Sequence, residues 1–479
     1  MHIKSSLVQS CILLITTMLY QAQAQTGPQH NKAVVCYIST WAVYRPESGS
    51  YSIDNFDPNL CTIAIYAFAG LDIVNDAIKS LDPWQDLEDG GGKAGFKRLT
   101  DYKRTHRHLK VLLAIGGWNE GSRNYSDMAG DPTRRGRFVK QAVSYIKQHN
   151  FDGLDLDWEY PTQRGGSPQD KEAFVLLVKE LSAEFKKHKL YLSSAFGAGK
   201  KTIDAAYDVK KLAPYLDSMH IMCYDYFGAW DKKIGLNAPL SNDNELNVEY
   251  SIDYFIKLGA PLEKLMLGLP FYGRTFITKQ DGNLGDESDD KGFPGPYTRE
   301  NGFMGYNEIC QALSSNDGWK SQWDVESSEA LAKVQLNNET RVVSYDSPRS
   351  IANKVRYAMK KGLGGVMVWS VDTDDFLGEC DYTINFDTFK DYRTEPKVKL
   401  NIPERTEKNY PLLRTLNDAI AITVDELKQE ADLIKGNEID DNNNKDQNKT
   451  SNNPSKSSTI LSCFSLIALC LSAAFMKLL

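Results

Sequence analysis

Residues 151–161 read FDGLDLDWEYP, and this stretch decides the fold. It opens on the turn-prone pair Asp152-Gly153 and continues as a short strand. Leu154 and Leu156 alternate with Asp155, Asp157 and Glu159. Side chains along a strand alternate between two faces, so the three carboxylates form a single file on one face. A solvated edge strand would tolerate such a file, but Leu154, Leu156, Trp158 and Tyr160 mark a strand packed deep in a sheet. Buried carboxylates need partners, and like charges this close cannot all ionise. The file therefore reads as a proton-handling device. Asp155 and Asp157 share a proton, Asp157 supports a raised pKa on Glu159, and Glu159, last in the file, is the candidate general acid.

Working outward, similar β-rich runs recur at 33–38, 61–70, 109–117, 189–196, 218–225, 264–273 and 364–372, making eight with the first. Near-continuous apolar strands separated by amphipathic helices imply a parallel sheet covered on both faces. Residues 171–187 show the helix type, with Phe174, Leu177, Val178, Leu181 and Phe185 on one stripe. Eight such units predict an α/β fold, a (β/α)8 TIM barrel over residues 31–422. No GxGxxG or GxxxxGK[ST] loop follows any strand, which argues against nucleotide binding. The long gap between the seventh and eighth runs predicts a small α+β insertion at about 275–343 walling one side of the barrel mouth. Its acidic run 286–291 reads as a solvated loop, and the basic cluster 104–108 as surface. Residues 410–422 carry Leu412, Leu413, Leu416 and Ile420 at helical spacing and predict a closing helix.

The ends read as processing segments. Residues 1–24 have the Lys4 basic region, the apolar run 7–19 and the small-x-small site Ala22-Gln23-Ala24 of a signal peptide. Residues 436–459 are polar and predict a disordered linker, followed by an apolar segment at 460–479. That pattern fits a glycosylphosphatidylinositol-anchor signal, with a retained membrane helix as the alternative. The expectation is a secretory-route, extracellular protein, anchored at the cell surface or secreted, and monomeric. A formal charge of −7 gives no reason to expect nucleic acid as a partner. Of the five cysteines outside the end segments, four pair in an oxidising compartment. The expected bridges are Cys36–Cys61 and Cys310–Cys380, leaving Cys223 as a buried thiol. Zinc ligation is the alternative, but no CxxC or HxxxH spacing supports it. Asn124, Asn338 and Asn448 head glycosylation sequons.

Reactive groups in such barrels gather at the C-terminal ends of the strands. Those ends supply Tyr37 and Trp41, Phe68, Trp118, Glu159 with Tyr160, Tyr224 with Asp225, Tyr272 with Arg274, and Trp369. Flat rings beside hydroxyls and carboxylates suit the apolar faces and polar edges of a neutral sugar chain.

FDGLDLDWEYP resembles the DxxDxDxE signature of the chitinases of glycoside hydrolase family 18. The runs YISTWAVYRP, AFAG, AIGGW, MCYDYFGAWD, GLPFYGR and GGVMVWSVDTDD resemble the same family in order. Phe196 is larger than the residue the family carries on its fifth strand. The resemblance implies chitin or chito-oligosaccharides as substrate, no cofactor, no metal, and a retaining, substrate-assisted reaction through an oxazolinium intermediate. Glu159 would then be the acid, Asp157 would orient the substrate acetamido N–H, Asp155 would hold a proton behind it, and Tyr224 would bond the acetamido carbonyl. Asp225 and Arg274 would bind the distorted sugar over Trp369. Tyr37, Phe68, Gly117, Tyr160, Ala195, Met222 and Tyr272 would complete the pocket, with Trp41 and Trp118 stacking on sugars further along. The leading expectation is an endo-acting chitinase; the alternatives are a non-catalytic chitinase-like lectin and an N-glycan-core endoglycosidase.

Overall fold

The computed structural model describes residues 27–315, 317–380 and 406–447, with side chains through Ile434. Fourteen strands are described: β1 (Ala33–Ser39), β2 (Ile63–Asp72), β3 (Ala77–Ser80), β4 (Lys110–Gly116), β5 (Gly153–Asp157), β6 (Tyr191–Gly197), β7 (Ser218–Met222), β8 (Leu265–Pro270), β9 (Tyr272–Thr278), β10 (Phe303–Gly305), β11 (Lys320–Asp324), β12 (Glu329–Leu336), β13 (Glu339–Tyr345) and β14 (Gly365–Trp369). Eight of them, in the order β1-β14-β8-β7-β6-β5-β4-β2, pair in parallel, and a β1–β2 ladder closes the ring. This is the (β/α)8 barrel. β3 is a short antiparallel strand folded onto β2.

The period of two sorts each strand between two cores. Val34, Cys36, Leu113, Leu154 and Leu156 face the helix layer, whereas Val35, Tyr37, Leu112, Ala114 and Met367 fill the barrel interior. Helix Asp170–His188 lays Phe174, Leu177, Val178, Leu181 and Phe185 against the outer layer. Each such burial stabilises the fold by about 1.5–3 kcal/mol. With Leu154 and Leu156 outward, Asp155 and Asp157 must point into the barrel.

Between β8 and β14 lies the insertion, a five-stranded antiparallel sheet in the order β10-β9-β13-β12-β11 with helix Tyr306–Ser314 beside it. The seventh sequence run splits here. Leu265–Pro270 stays in the barrel, and Tyr272 and Arg274 belong to β9, which lies between β10 and β13 in the insertion, not to a barrel strand end. The insertion sheet therefore begins at Tyr272 and ends at Tyr345, wider than 275–343.

Cys36–Cys61 and Cys310–Cys380 are disulfide-bonded and Cys223 is a buried free thiol, its pKa pushed up to about 12 by burial. Cys310, Asp375 and Cys380 lie close together, but the two sulfurs are bonded to each other. The second bridge ties the insertion helix to the loop after β14. Asp374 accepts the Leu413 and Leu412 amides at 3.0 and 3.3 Å and so caps the closing helix.

That helix runs Pro411–Gln447. The chain divides into a unit ending at Asp425 and a second beginning at Glu426, whose described part is the rest of this helix. The disorder expected from residue 436 is thus corrected as far as Gln447. A packed first half carrying Leu412, Leu413, Leu416 and Ile420 supplies the nucleus, and each further residue then adds one hydrogen bond. Residues 425–434 are rich in Glu, Leu, Lys and Ala, which are good helix formers. The signal peptide, the sequon at Asn448, the remainder of the linker and the apolar segment 460–479 lie outside the described residues. Among the described residues no helix is long and apolar enough to cross a membrane.

Candidate active site

Asp155 and Asp157 enter the barrel interior in the middle and at the end of β5, and Glu159 follows two residues beyond. Their surroundings are graded. Asp155 is fully buried, accepting the Tyr37 hydroxyl at 2.7 Å and the Ser193 hydroxyl at 2.6 Å. His220 Nδ1 lies 2.8 Å from the Tyr37 oxygen and 3.3 Å from Asp155, and its Nε2 lies 2.9 Å from Ser218 Oγ. With the tyrosine proton given to Asp155, Nδ1–H donates to the tyrosine oxygen and Nε2 accepts from Ser218. Strand register brings these groups together: Asp155 pairs with Ser193, Ser193 with Ser218, and Ala195 with His220.

Asp157 is buried too, yet its Oδ1 has no hydrogen-bond partner among the described residues. Burial raises its pKa well above the carboxylate range, and repulsion from Glu159 and Asp155 adds to that. Glu159 is partly open to the cleft. Its pKa is raised to about 7, first by enclosure and then by the Asp225 charge, against a hydrogen bond from Tyr160 and the Arg164 charge. The strand pattern gave Asp157 the task of raising Glu159. In the structure the repulsion between them raises Asp157, and Asp225 acts on Glu159.

Tyr224 stands across the file, its ring edge-on to Tyr272 at 5.9 Å. Burial and the carboxylates of Asp157 and Asp225 raise its pKa far enough to keep the hydroxyl a donor. Asp225 is exposed, in left-handed conformation at φ 59°, and accepts Tyr272 Oη–H at 2.7 Å and Arg274 Nε–H at 2.6 Å. Its own N–H donates to Asn237 Oδ1 at 3.0 Å. Asn237 is held in turn by Ser344 and, through Ser344, by the buried Glu329.

One wall is aromatic. Phe68, Trp41 and Trp369 form a triangle of rings, with Phe68 stacked 6.2 Å from Trp41 and 5.7 Å from Trp369 and the two indoles 6.2 Å apart, and Tyr37 closes on Trp369 at 5.6 Å. Ala195 lies two residues before the end of β6, and Met222 ends β7. Phe196 points the other way, packing among Phe174, Tyr207 and Phe255. Its size therefore leaves the cleft untouched. Gly116 and Gly117 are required where β4 ends. Both have positive φ, a Cβ on Gly116 would meet the Asp157 carbonyl at 2.1 Å, and one on Gly117 would meet the Phe68 ring at 2.7 Å. Trp118 projects from the mouth, 57% exposed, with the Arg164 guanidinium 3.5 Å above its ring. Arg164 also donates to the carbonyls of Trp118 and Glu159 at 2.7 and 3.0 Å.

The strand-end residues Tyr37, Trp41, Phe68, Glu159, Tyr224, Asp225, Tyr272, Arg274 and Trp369 thus lie in one connected group around the carboxylate file, with Trp118 joined to it through Arg164. Sequence reasoning missed Ser193, Ser218 and His220, which carry no motif of their own, and Asn237 and Arg164 in loops. It also missed Trp230 and Phe303, whose rings lie 5.0 and 5.6 Å from the Arg274 guanidinium. Asn124 and Asn338 are both exposed.

Residues 33–374 match the model of the family described as glycosyl hydrolases family 18. The chain is 61% identical over 410 residues to a protein of Drosophila melanogaster named probable chitinase 2, covering 84% of each. The crystal structure of the Ostrinia furnacalis group IV chitinase in complex with allosamidin superposes with a TM-score of 0.72 at 38% identity, covering 82% of this chain and 99% of that one. Human YKL-39, described as a pseudo-chitinase with retained chitooligosaccharide binding, superposes with a TM-score of 0.69 at 30% identity, covering 81% of this chain and 100% of that one. With its carboxylate file inside an eight-stranded barrel and this likeness over most of its length, the chain belongs to glycosyl hydrolases family 18.

Proposed function

We propose that this protein is a chitinase, hydrolysing β-1,4-linked N-acetylglucosamine chains with retention of configuration and with the substrate's own acetamido group as nucleophile. The observation that carries the reading is the gradient along β5. Asp155 has its partners, Asp157 keeps a buried oxygen without one, and Glu159 faces the cleft with its pKa raised to about 7. A buried acceptor left open costs stability unless a ligand fills it. The acetamido N–H of the sugar at the cleavage point is the donor that would fill it.

The steps follow from this placement. Protonated Glu159 gives its proton to the glycosidic oxygen as the bond to the anomeric carbon breaks. The acetamido oxygen attacks that carbon, forming the oxazolinium ring. Asp157 accepts the N–H, whose acidity grows as positive charge develops, and so stabilises the ring. Tyr224 donates to the acetamido oxygen and holds it below the sugar. Glu159, now ionised, takes a proton from water, which attacks the anomeric carbon from the side the leaving group left, breaks its bond to the acetamido oxygen and restores the N-acetyl sugar with its original configuration. Two carboxylates of which neither attacks carbon fit the substrate-assisted exception to the usual pair. Trp369 and Phe68 supply the floor, Arg274 and Asp225 a polar clamp, and Trp41 and Trp118 platforms for flanking sugars. The two disulfides fit an oxidising compartment, in line with the secretory route.

The test is proton NMR of the first product released from a chitohexaose chain. Accumulation of the β-anomer before mutarotation is expected. Release of the α-anomer would overturn the substrate-assisted mechanism, and tight binding without cleavage would place the protein with the pseudo-chitinase.

A further inference from the structure

A second concavity lies at the opposite end of the barrel. It encloses about 620 Å³ and is lined by Lys103, Arg107, Lys110, Lys186 and Lys189, by Asp152 and Asp217, and by an apolar floor that includes Leu109, Phe185 and Leu190. Lys110 opens β4 and Tyr191 opens β6, while Asp152 and Asp217 precede β5 and β7. The cavity therefore sits at the N-terminal ends of the strands, away from the carboxylate file.

Two basic runs distant in sequence supply the cations. One is 103–110, which includes the basic cluster 104–108, and the other is 186–189. The two carboxylates are already committed. Asp152 accepts the Val111 amide at 2.8 Å and Lys103 Nζ–H at 2.9 Å, and Asp217 accepts the Leu192 amide at 2.8 Å. Lys103 also donates to the Asn150 carbonyl. Arg107, Lys110, Lys186 and Lys189 are all exposed and have no partner among the described residues. Four unpaired cations around one concavity, in a chain whose net charge is −7, make a local field of the opposite sign.

We infer that this cavity is a binding site for a discrete polyanion, a ring-sized scaffold bearing several sulfate or phosphate groups. Its volume is that of a small-molecule site. A membrane surface fits less well, because interfacial binding needs protruding apolar side chains. Leu109 and Phe185 are buried, and among the described residues no exposed large hydrophobic side chain lines the cavity. The cations sit on the rim and the apolar groups form the floor, which suits anionic substituents around a ring.

Titration calorimetry of the full-length protein with inositol hexakisphosphate and with sucrose octasulfate tests this. Both bind in dilute buffer, weaken as salt rises, and lose at least about tenfold in affinity when Arg107, Lys110, Lys186 and Lys189 are all changed to alanine. Hydrolysis of chito-oligosaccharides by that variant is unchanged. A preference for one probe names the anion. The milder pair Arg107→Ala/Lys186→Ala serves if the fourfold variant does not fold, with a smaller loss expected. No binding of either probe at millimolar concentration, equal binding by wild type and variant, or tighter binding to phosphatidylserine vesicles than to the soluble probes would overturn the inference.

Discussion

The pH dependence of cleavage follows from the surroundings of Glu159. The step needs its protonated form, and with a pKa near 7 about half of the enzyme carries that proton at neutral pH. At the ordinary value of 4.5, only about 1 molecule in 300 would do so. The raised value therefore means activity is retained as pH rises to about 7 and falls about tenfold per unit above it. Arg164 moves this limb in a known direction. Its guanidinium pulls the Glu159 pKa down, so Arg164→Gln shifts the alkaline limb to higher pH. An exposed charge interaction is worth about 0.2–1 kcal/mol, which is about 0.1–0.7 of a pH unit at 1.36 kcal/mol per unit. The assay is kcat/KM against pH on unmodified chitopentaose. An aryl glycoside is unsuitable, because a good leaving group needs little help from the acid. An alkaline limb below about pH 5.5, or a shift to lower pH in Arg164→Gln, would refute this account of the acid.

Three other outcomes follow. Tyr37→Phe keeps the ring but removes the hydroxyl between Asp155 and His220, and it should cost about 1–3 kcal/mol in denaturant unfolding, because both groups are buried. Gly117→Ala forces a side chain into a φ 85°, ψ 170° conformation that is almost confined to glycine, at a cost of about 1–3 kcal/mol, and presses on Phe68, so it should raise KM for chito-oligosaccharides; an unchanged KM would show that the Phe68–Trp369 stack does not carry sugar. Asp374 and Glu329 are buried carboxyls with pKa values near 7, and in the folded protein they bind protons that the unfolded chain has released. Their contribution is therefore most favourable at the acid end and is lost between about pH 4 and 7, so thermal melting from pH 5 to 8 should show falling stability.

Much of this was legible in the chain because strand periodicity is local. Leu154 and Leu156 against Asp155 and Asp157 placed the carboxylates inside the barrel before any coordinates, and the recurrence of such runs gave the fold. What stayed hidden depends on register and on chain reversal. Ser193 and His220 become partners of Asp155 only through the offset of β5, β6 and β7, which no single strand records. Tyr272 and Arg274 read as the end of a barrel strand because Leu265–Thr278 is nearly continuous in pattern; Pro270 and Gly273 bracket the break at Phe271, but neither says that the chain leaves the barrel there. Asn237 and Arg164 sit in loops, where the residue type says little until the cleft is assembled around it.

The most direct test of the central claim is cleavage of chitopentaose by wild type beside Glu159→Gln, with product analysis and a binding measurement on both. The account predicts turnover in the wild type, a loss of about 100- to 10,000-fold in the variant, and oligosaccharide affinity preserved in both. Turnover retained in Glu159→Gln would contradict the assignment of the acid, and binding without turnover in the wild type would contradict the assignment of an enzyme.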